Sequence, residues 1–242
     1  MNFSKLEDLT KKKQPYTALL YCAPGVGKTT AIGLIAEKSK GKTLILDVDR
    51  TITTALSKKD IVKDISRIDI MQIDNVNTWE DWSNVLKQLA DLKKDGKFDY
   101  ENIAVDNISE LERCILSDLG SQGKNKGVPA QADYQYMQFK LVNSLRFMKS
   151  LGCNVIWTAW ETIEQFISPD GSSYSRCYPK CNAKIVDNIC GLCDIVGKII
   201  AKTDGTRGIV LDATQNIYAK NQYDTRKGCL VEDFVTNEDK KK

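Results

Sequence analysis

Residues 16–30, Tyr-Thr-Ala-Leu-Leu-Tyr-Cys-Ala-Pro-Gly-Val-Gly-Lys-Thr-Thr, constrain the fold of this chain more than any other stretch. An apolar run stops at a turn rich in Pro and Gly, and Lys28-Thr29-Thr30 opens a helical pattern at Ile32, Ile35 and Ala36. The order is strand, loop, helix. The loop nearly fits G-x-x-x-x-G-K followed by Ser or Thr, in which backbone N–H groups and a helix N-terminus surround a phosphate. Ala23, Pro24, Gly25, Val26, Gly27, Lys28, Thr29 and Thr30 are therefore the candidate nucleotide-binding residues. Gly25 and Gly27 let the backbone close on the anion, Lys28 supplies a point charge to the β- and γ-phosphates, and the Thr29 hydroxyl is a candidate Mg²⁺ ligand. Cys22 stands where the pattern begins with glycine, which is tolerable if its φ stays negative.

Composition narrows the remaining possibilities. With 242 residues, 42% hydrophobic and 28% charged, the chain has the make-up of one soluble globular domain with appendages. The expected division is a basic lead-in over 1–15, which carries Lys11-Lys12-Lys13, a core domain over 16–232 and a charged tail over 233–242. A net charge of +3 excludes a strong general attraction to polyanions, so any nucleic-acid surface has to be local. No apolar run is long enough to cross a bilayer and the amino end has no signal-type segment, so no membrane partner and a cytoplasmic location are expected. The absence of histidine removes imidazole bases and imidazole metal ligands.

Downstream, Thr43 to Asp49 is an apolar run ending in acids, as in a buried parallel strand whose carboxyl end faces the nucleotide crevice. Asp47 and Asp49 are site candidates there, with strand-end solubility as the plainer alternative. Ile68 to Ile73 alternates as a half-buried strand. Thr78 reads as an N-cap, and Trp82, Val85, Leu86, Leu89 and Leu92 then recur at helical spacing up to Asp95-Gly96. Glu101 to Asp106 is a short apolar strand ending in a carboxylate, and Ser109 to Glu112 reads as a capping box. Such a strand is expected beside the phosphate-loop strand, with Asp106 as the carboxylate that manages Mg²⁺. Residues 120–133 read as a long Gly-rich loop, either disordered or following a phosphate backbone through Lys124 and Lys126. Cys153 to Glu161 is a further strand, whose polar end brings Thr158 and Glu161 toward the terminal phosphate or the attacking water.

The second half changes character. Ser168-Pro169-Asp170-Gly171 is a turn, and Asp194–Lys202 with Gly208–Asp212 flank Asp204-Gly205, a hairpin signal that adds antiparallel strands to one edge of a mainly parallel sheet. Arg176, Lys180 and Lys184 lie beside Phe166, Tyr174 and Tyr178, the mixture used by single-strand binders and also by ordinary edge loops. Cys177, Cys181, Cys190 and Cys193 have the spacing of a zinc site, but Ile185, Val186, Ile189 and Cys190 also recur at helical spacing, so core packing is the competing reading.

Taken together, Ala-Pro-Gly-Val-Gly-Lys-Thr-Thr at 23–30, Leu-Asp-Val-Asp at 46–49, Ile-Ala-Val-Asp-Asn at 103–107, Val-Ile-Trp-Thr-Ala-Trp-Glu at 155–161 and Ala-Lys-Asn-Gln-Tyr-Asp at 219–224 carry a resemblance. The chain resembles the RecA-core P-loop ATPases that phages encode for recombination, the Sak-type single-strand annealing proteins. Tyr-Pro-Lys at 178–180 and Asp194-Ile195-Val196 extend it over about residues 14–230. The resemblance implies an α/β RecA-like P-loop NTPase fold with a mainly parallel central sheet, flanking helices and an antiparallel hairpin at one edge. It implies ATP and Mg²⁺ as ligands, hydrolysis to ADP and phosphate, single-stranded DNA and further copies of the chain as partners in a ring or filament, and a single-strand binding protein as another. Asp49 then stands where RecA-like proteins put a catalytic glutamate, and Lys220 matches a lysine that touches nucleotide across a subunit interface. Besides Cys22, two residues depart from the pattern: Trp160 replaces a common His and Gln222 an Arg. The resulting assignment makes Lys28, Asp49, Glu161 and Lys220 catalytic and Thr29 and Asp106 the metal ligands. Competing classes are an AAA⁺-type helicase loader or motor, which carries an Arg finger and a C-terminal helical lid, and a small-molecule P-loop kinase, which acts as a monomer indifferent to DNA.

Overall fold

The computed structural model describes residues 14–57, 62–168 and 170–235. The lysine run at 11–13, Pro169 and the tail from 236 onward lie outside the described residues. Strand β1 (Thr17–Cys22) leads through the glycine loop into helix α1 (Lys28–Lys38), followed by β2 (Lys42–Asp47), a short α2 (Ile52–Leu56) and β3 (Ile68–Gln72). Next come α3 (Thr78–Lys94), β4 (Tyr100–Asp106), α4 (Ile108–Gln122), α5 (Gln131–Ser150) and β5 (Asn154–Ile167). The chain finishes with β6 (Ser173–Lys180), α6 (Val186–Leu192), β7 (Ile195–Ala201), β8 (Arg207–Val210), β9 (Lys220–Asn221) and β10 (Gly228–Leu230).

The strands form one sheet in the order β10-β8-β7-β1-β5-β4-β2-β3, with β6 on β5 and β9 on β7. Every pairing from β7 through β1 to β3 is parallel, whereas β8 and β10 add antiparallel strands at one edge. This is a P-loop NTPase fold. One expectation is corrected: β4 does not lie beside β1, because β5 pairs with both and stands between them. The apolar run 153–161 is the cause, since a strand buried on both faces is most stable in the middle of a sheet.

Side-chain alternation sorts the core into two layers. Leu19, Tyr21, Leu46, Val105, Val155 and Trp157 pack against α3, α4 and α5, while Ala18, Leu20, Ile45, Ala104 and Ile156 pack against α1. Ile32 and Ile35 of α1 are fully buried, each contributing roughly 1.5–3 kcal/mol. On α3, Trp82 donates to Ser144 Oγ at 2.9 Å inside the core. The expected loop over 120–133 is shorter, because α4 continues to Gln122 and α5 begins at Gln131. The helix caps also differ from expectation. Asn107, not Ser109, caps α4 by accepting from the Glu110 N–H at 2.9 Å, and Ser109 is drawn to the Lys180 carbonyl and the Trp160 N–H instead. Asn77 rather than Thr78 precedes α3.

Candidate functional site

A cavity of about 350 Å³ lies at the carboxyl ends of the parallel strands, lined in part by Gly25, Lys28, Thr29, Asp49, Trp160 and Arg207. The loop closes around it because Gly25 and Gly27 take φ of 81° and 121°, and Gly27 is the N-cap of α1. The first hydrogen bond of that helix runs from Ala31 N to Gly27 O at 2.9 Å, so the N–H groups of Lys28, Thr29 and Thr30 have no intrahelical acceptor. They form an anion cradle, and Pro24 and Thr30 also line the cavity. Ala23 accepts from Val26 N at 3.3 Å and shapes the turn. Cys22 is buried in β1 with φ outside the positive region, and burial pushes its thiol up to about 11, so it is an uncharged wall beneath the loop.

Three carboxylates gather beside this cradle. Asp106, wholly buried, accepts from Thr29 Oγ1 at 2.5 Å on one oxygen and from Thr158 Oγ1 at 2.5 Å on the other. The intervening β5 is what supplies Thr158, so the corrected strand order improves the hold on Asp106. Burial raises its pKa, opposed by the two hydroxyls and Lys28. Asp47 is buried at the end of β2, paired across to Asp106, with its pKa raised by burial and by Asp106. Asp49 receives the Asn107 amide at 2.6 Å and lines the cavity, and its carboxyl is pushed up to about 7 by burial first, then by Asp106 and Glu110. The main chain at Arg50, Thr51 and Ile52 faces the Asp47 carboxylate and opposes the rise in its pKa, whereas Oδ1 of Asp49 has no hydrogen-bond partner among the described residues. The Thr29 hydroxyl and the Asp106 carboxylate, hydrogen-bonded to each other beside the phosphate loop, are the pair that would hold a Mg²⁺ ion.

Two predicted residues lie elsewhere. Glu161 falls on the opposite face of β5 from Thr158 and Trp160, by the two-residue period of a strand. There it pairs with Lys198 at 3.1 Å and does not line the cavity. Lys220 donates to the carbonyls of Cys190, Gly191 and Cys193 at 3.2, 3.1 and 2.7 Å, so its ammonium is occupied at the end of α6. The zinc reading of the cysteines is not supported. Among the described residues no cluster of three or more Cys, Asp or Glu is placed to hold a metal, and Cys190 and Cys193 are core residues.

A family described as an AAA domain matches residues 14–223. The chain belongs to that family. The matched span of this AAA domain takes in the glycine loop, Asp49, Asp106, Thr158 and Arg207, and so the whole cavity. A search of curated proteins found no match to it. No helix among the described residues of this AAA domain is long and apolar enough to cross a membrane.

Sequence reasoning missed Arg207. Its only signal was a position two residues beyond the Asp204-Gly205 turn, and nothing short of the β7–β1 pairing reveals that this turn reaches the glycine loop.

Proposed function

We propose that this chain is a Mg²⁺-dependent ATPase that acts on single-stranded DNA, in the manner of the phage recombination and annealing ATPases it resembles. The carrying observation is the buried Asp106, held by Thr158 from β5 and by Thr29, which itself lines one cavity with Lys28 and Asp49. Lys28 and the free N–H groups of α1 bind the β- and γ-phosphates. Thr29 and Asp106 would hold the cation, which when bound would neutralise phosphate charge and polarise the terminal phosphoryl group. Asp49, fixed by Asn107, orients the attacking water. The water oxygen bonds to the γ-phosphorus as the bond to the ADP oxygen breaks, and the water's displaced proton ends on the released phosphate.

The DNA part of the proposal rests on the β5–β6 hairpin. β5 runs from the cavity wall at Trp160 out to Ile167, and Phe166 stacks on Tyr174 with the Arg176 guanidinium 5.4 Å from both rings. Such a cationic aromatic arm suits the bases of a single strand and transmits its position to Trp160. The family match draws a second reading, a AAA-type loader or motor. Against it, no helix follows Leu192 among the described residues, where a helical lid would stand.

The test is fluorescence anisotropy of a labelled single-stranded oligonucleotide with and without Mg·ATP, alongside phosphate release, for wild type and Lys28→Ala. ATP-promoted binding lost in the variant is expected. Equal, DNA-indifferent curves with intact phosphate release would leave an ATPase without this substrate.

A further inference from the structure

Arg207 begins β8, and its main chain is fixed on two sides: Ala201 of β7 lies opposite it, and its carbonyl accepts from Val231 N at 3.0 Å. The preceding turn is rigid, with Gly205 at φ 84° and the Asp204 carboxylate accepting from Thr206 N at 2.8 Å. From this base the side chain crosses to the glycine loop. Its Nε donates to Val26 O at 3.2 Å and its Nη1 to Gly205 O at 3.2 Å, and it lines the cavity with Lys28. It lies so close over Gly27 that a Cβ there would overlap Nε.

Among the described residues this guanidinium meets main-chain carbonyls and no carboxylate, whereas Arg226 is paired with Asp224 at 2.6 Å. A half-buried, permanently charged fork that spends donors only on main-chain carbonyls keeps others for an anion, and its planar geometry matches phosphate oxygens. Lys220, the expected source of late positive charge, is committed to α6.

We propose that Arg207 contacts the terminal phosphate of a nucleoside triphosphate bound to its own chain, so that the site's cations are complete within a single copy. This rests on the nucleotide reading above and adds to it a triphosphate-selective contact carried by the β7–β8 hairpin. Charge developing on the terminal phosphoryl oxygens is then met in cis, and hydrolysis per chain does not depend on assembly.

The experiment compares wild type, Arg207→Ala and Arg207→Lys for affinity to fluorescent ADP and to a non-hydrolysable ATP analogue with Mg²⁺, and for phosphate release across a range of protein concentrations. In Arg207→Ala the analogue's affinity is expected to fall at least ~10-fold while ADP changes less than ~3-fold, and phosphate release to fall on the order of 10²-fold, with partial recovery in Arg207→Lys. Mixing Arg207→Ala with Lys28→Ala should restore no activity. Equal weakening of both nucleotides means a clamp on Val26 alone and overturns the proposal, as do unchanged affinities. Recovery on mixing moves the contact to a neighbouring copy and overturns it too. A wild-type chain that binds neither nucleotide removes the ATPase reading with it, whereas nucleotide binding insensitive to Arg207 removes only this inference.

Discussion

At the scale of single residues, two glycines separate backbone freedom from space. Gly25 sits at φ 81° with nothing within 4 Å of where a Cβ would be, so only the left-handed backbone resists a side chain. Gly27 adds a second obstacle, because its Cβ would collide with Arg207. Gly25→Ala is expected to cost about 1 kcal/mol in a urea titration, and Gly27→Ala roughly 2–3 kcal/mol. Gly27→Ala should also weaken nucleotide binding more strongly, since it displaces both the α1 N-cap and the guanidinium. Equal nucleotide affinities for the two variants would contradict the contact with Arg207. Asp106 shows the complementary case, in which a residue legible as a strand-end acid owes its orientation to Thr158 on another strand.

Among elements, the short helix α6 depends on a residue far from it in sequence. Its carbonyls at Cys190 and Gly191, and that of Cys193 just beyond, converge on the Lys220 ammonium, which also lies favourably at the negative end of the helix dipole. Lys220→Met is expected to lower stability by about 1 kcal/mol while leaving phosphate release within about threefold of wild type. A large fall in phosphate release at unchanged stability would instead return Lys220 to a neighbour's nucleotide. The β5–β6 hairpin is the element least visible beforehand. The stretch after Glu161 reads as a basic and aromatic loop, but its residues find cross-strand partners, from Thr162 opposite Tyr178 to Phe166 opposite Tyr174.

For the whole molecule, stability rests on two apolar layers either side of one sheet. Cys190 and Cys193 are core members, Cys181 donates to Glu112 Oε2 at 3.3 Å, and Lys198 donates to Cys177 Sγ at 2.9 Å. EDTA is therefore expected to leave the thermal transition of the nucleotide-free chain unchanged while abolishing phosphate release. A fall of several degrees on chelation would revive the thiolate site. Much of this organisation was legible in the sequence. Local order alone makes residues 16–38 a strand, loop and helix, the periodicity of residues 82–92 marks a buried helix face, and Asp204-Gly205 marks the edge hairpin. These are properties of neighbours along the chain, set by backbone sterics and by which side of an element is apolar. Tertiary structure alone decided that β5 separates β1 from β4, that Glu161 turns away while Thr158 grips Asp106, and that Arg207 rather than Lys220 reaches the glycine loop. Each depends on which strands pair and on the parity of a residue within its strand. A register shift of a single residue reverses that parity, and the choice is made by the fit of the whole core rather than by any local run of amino acids.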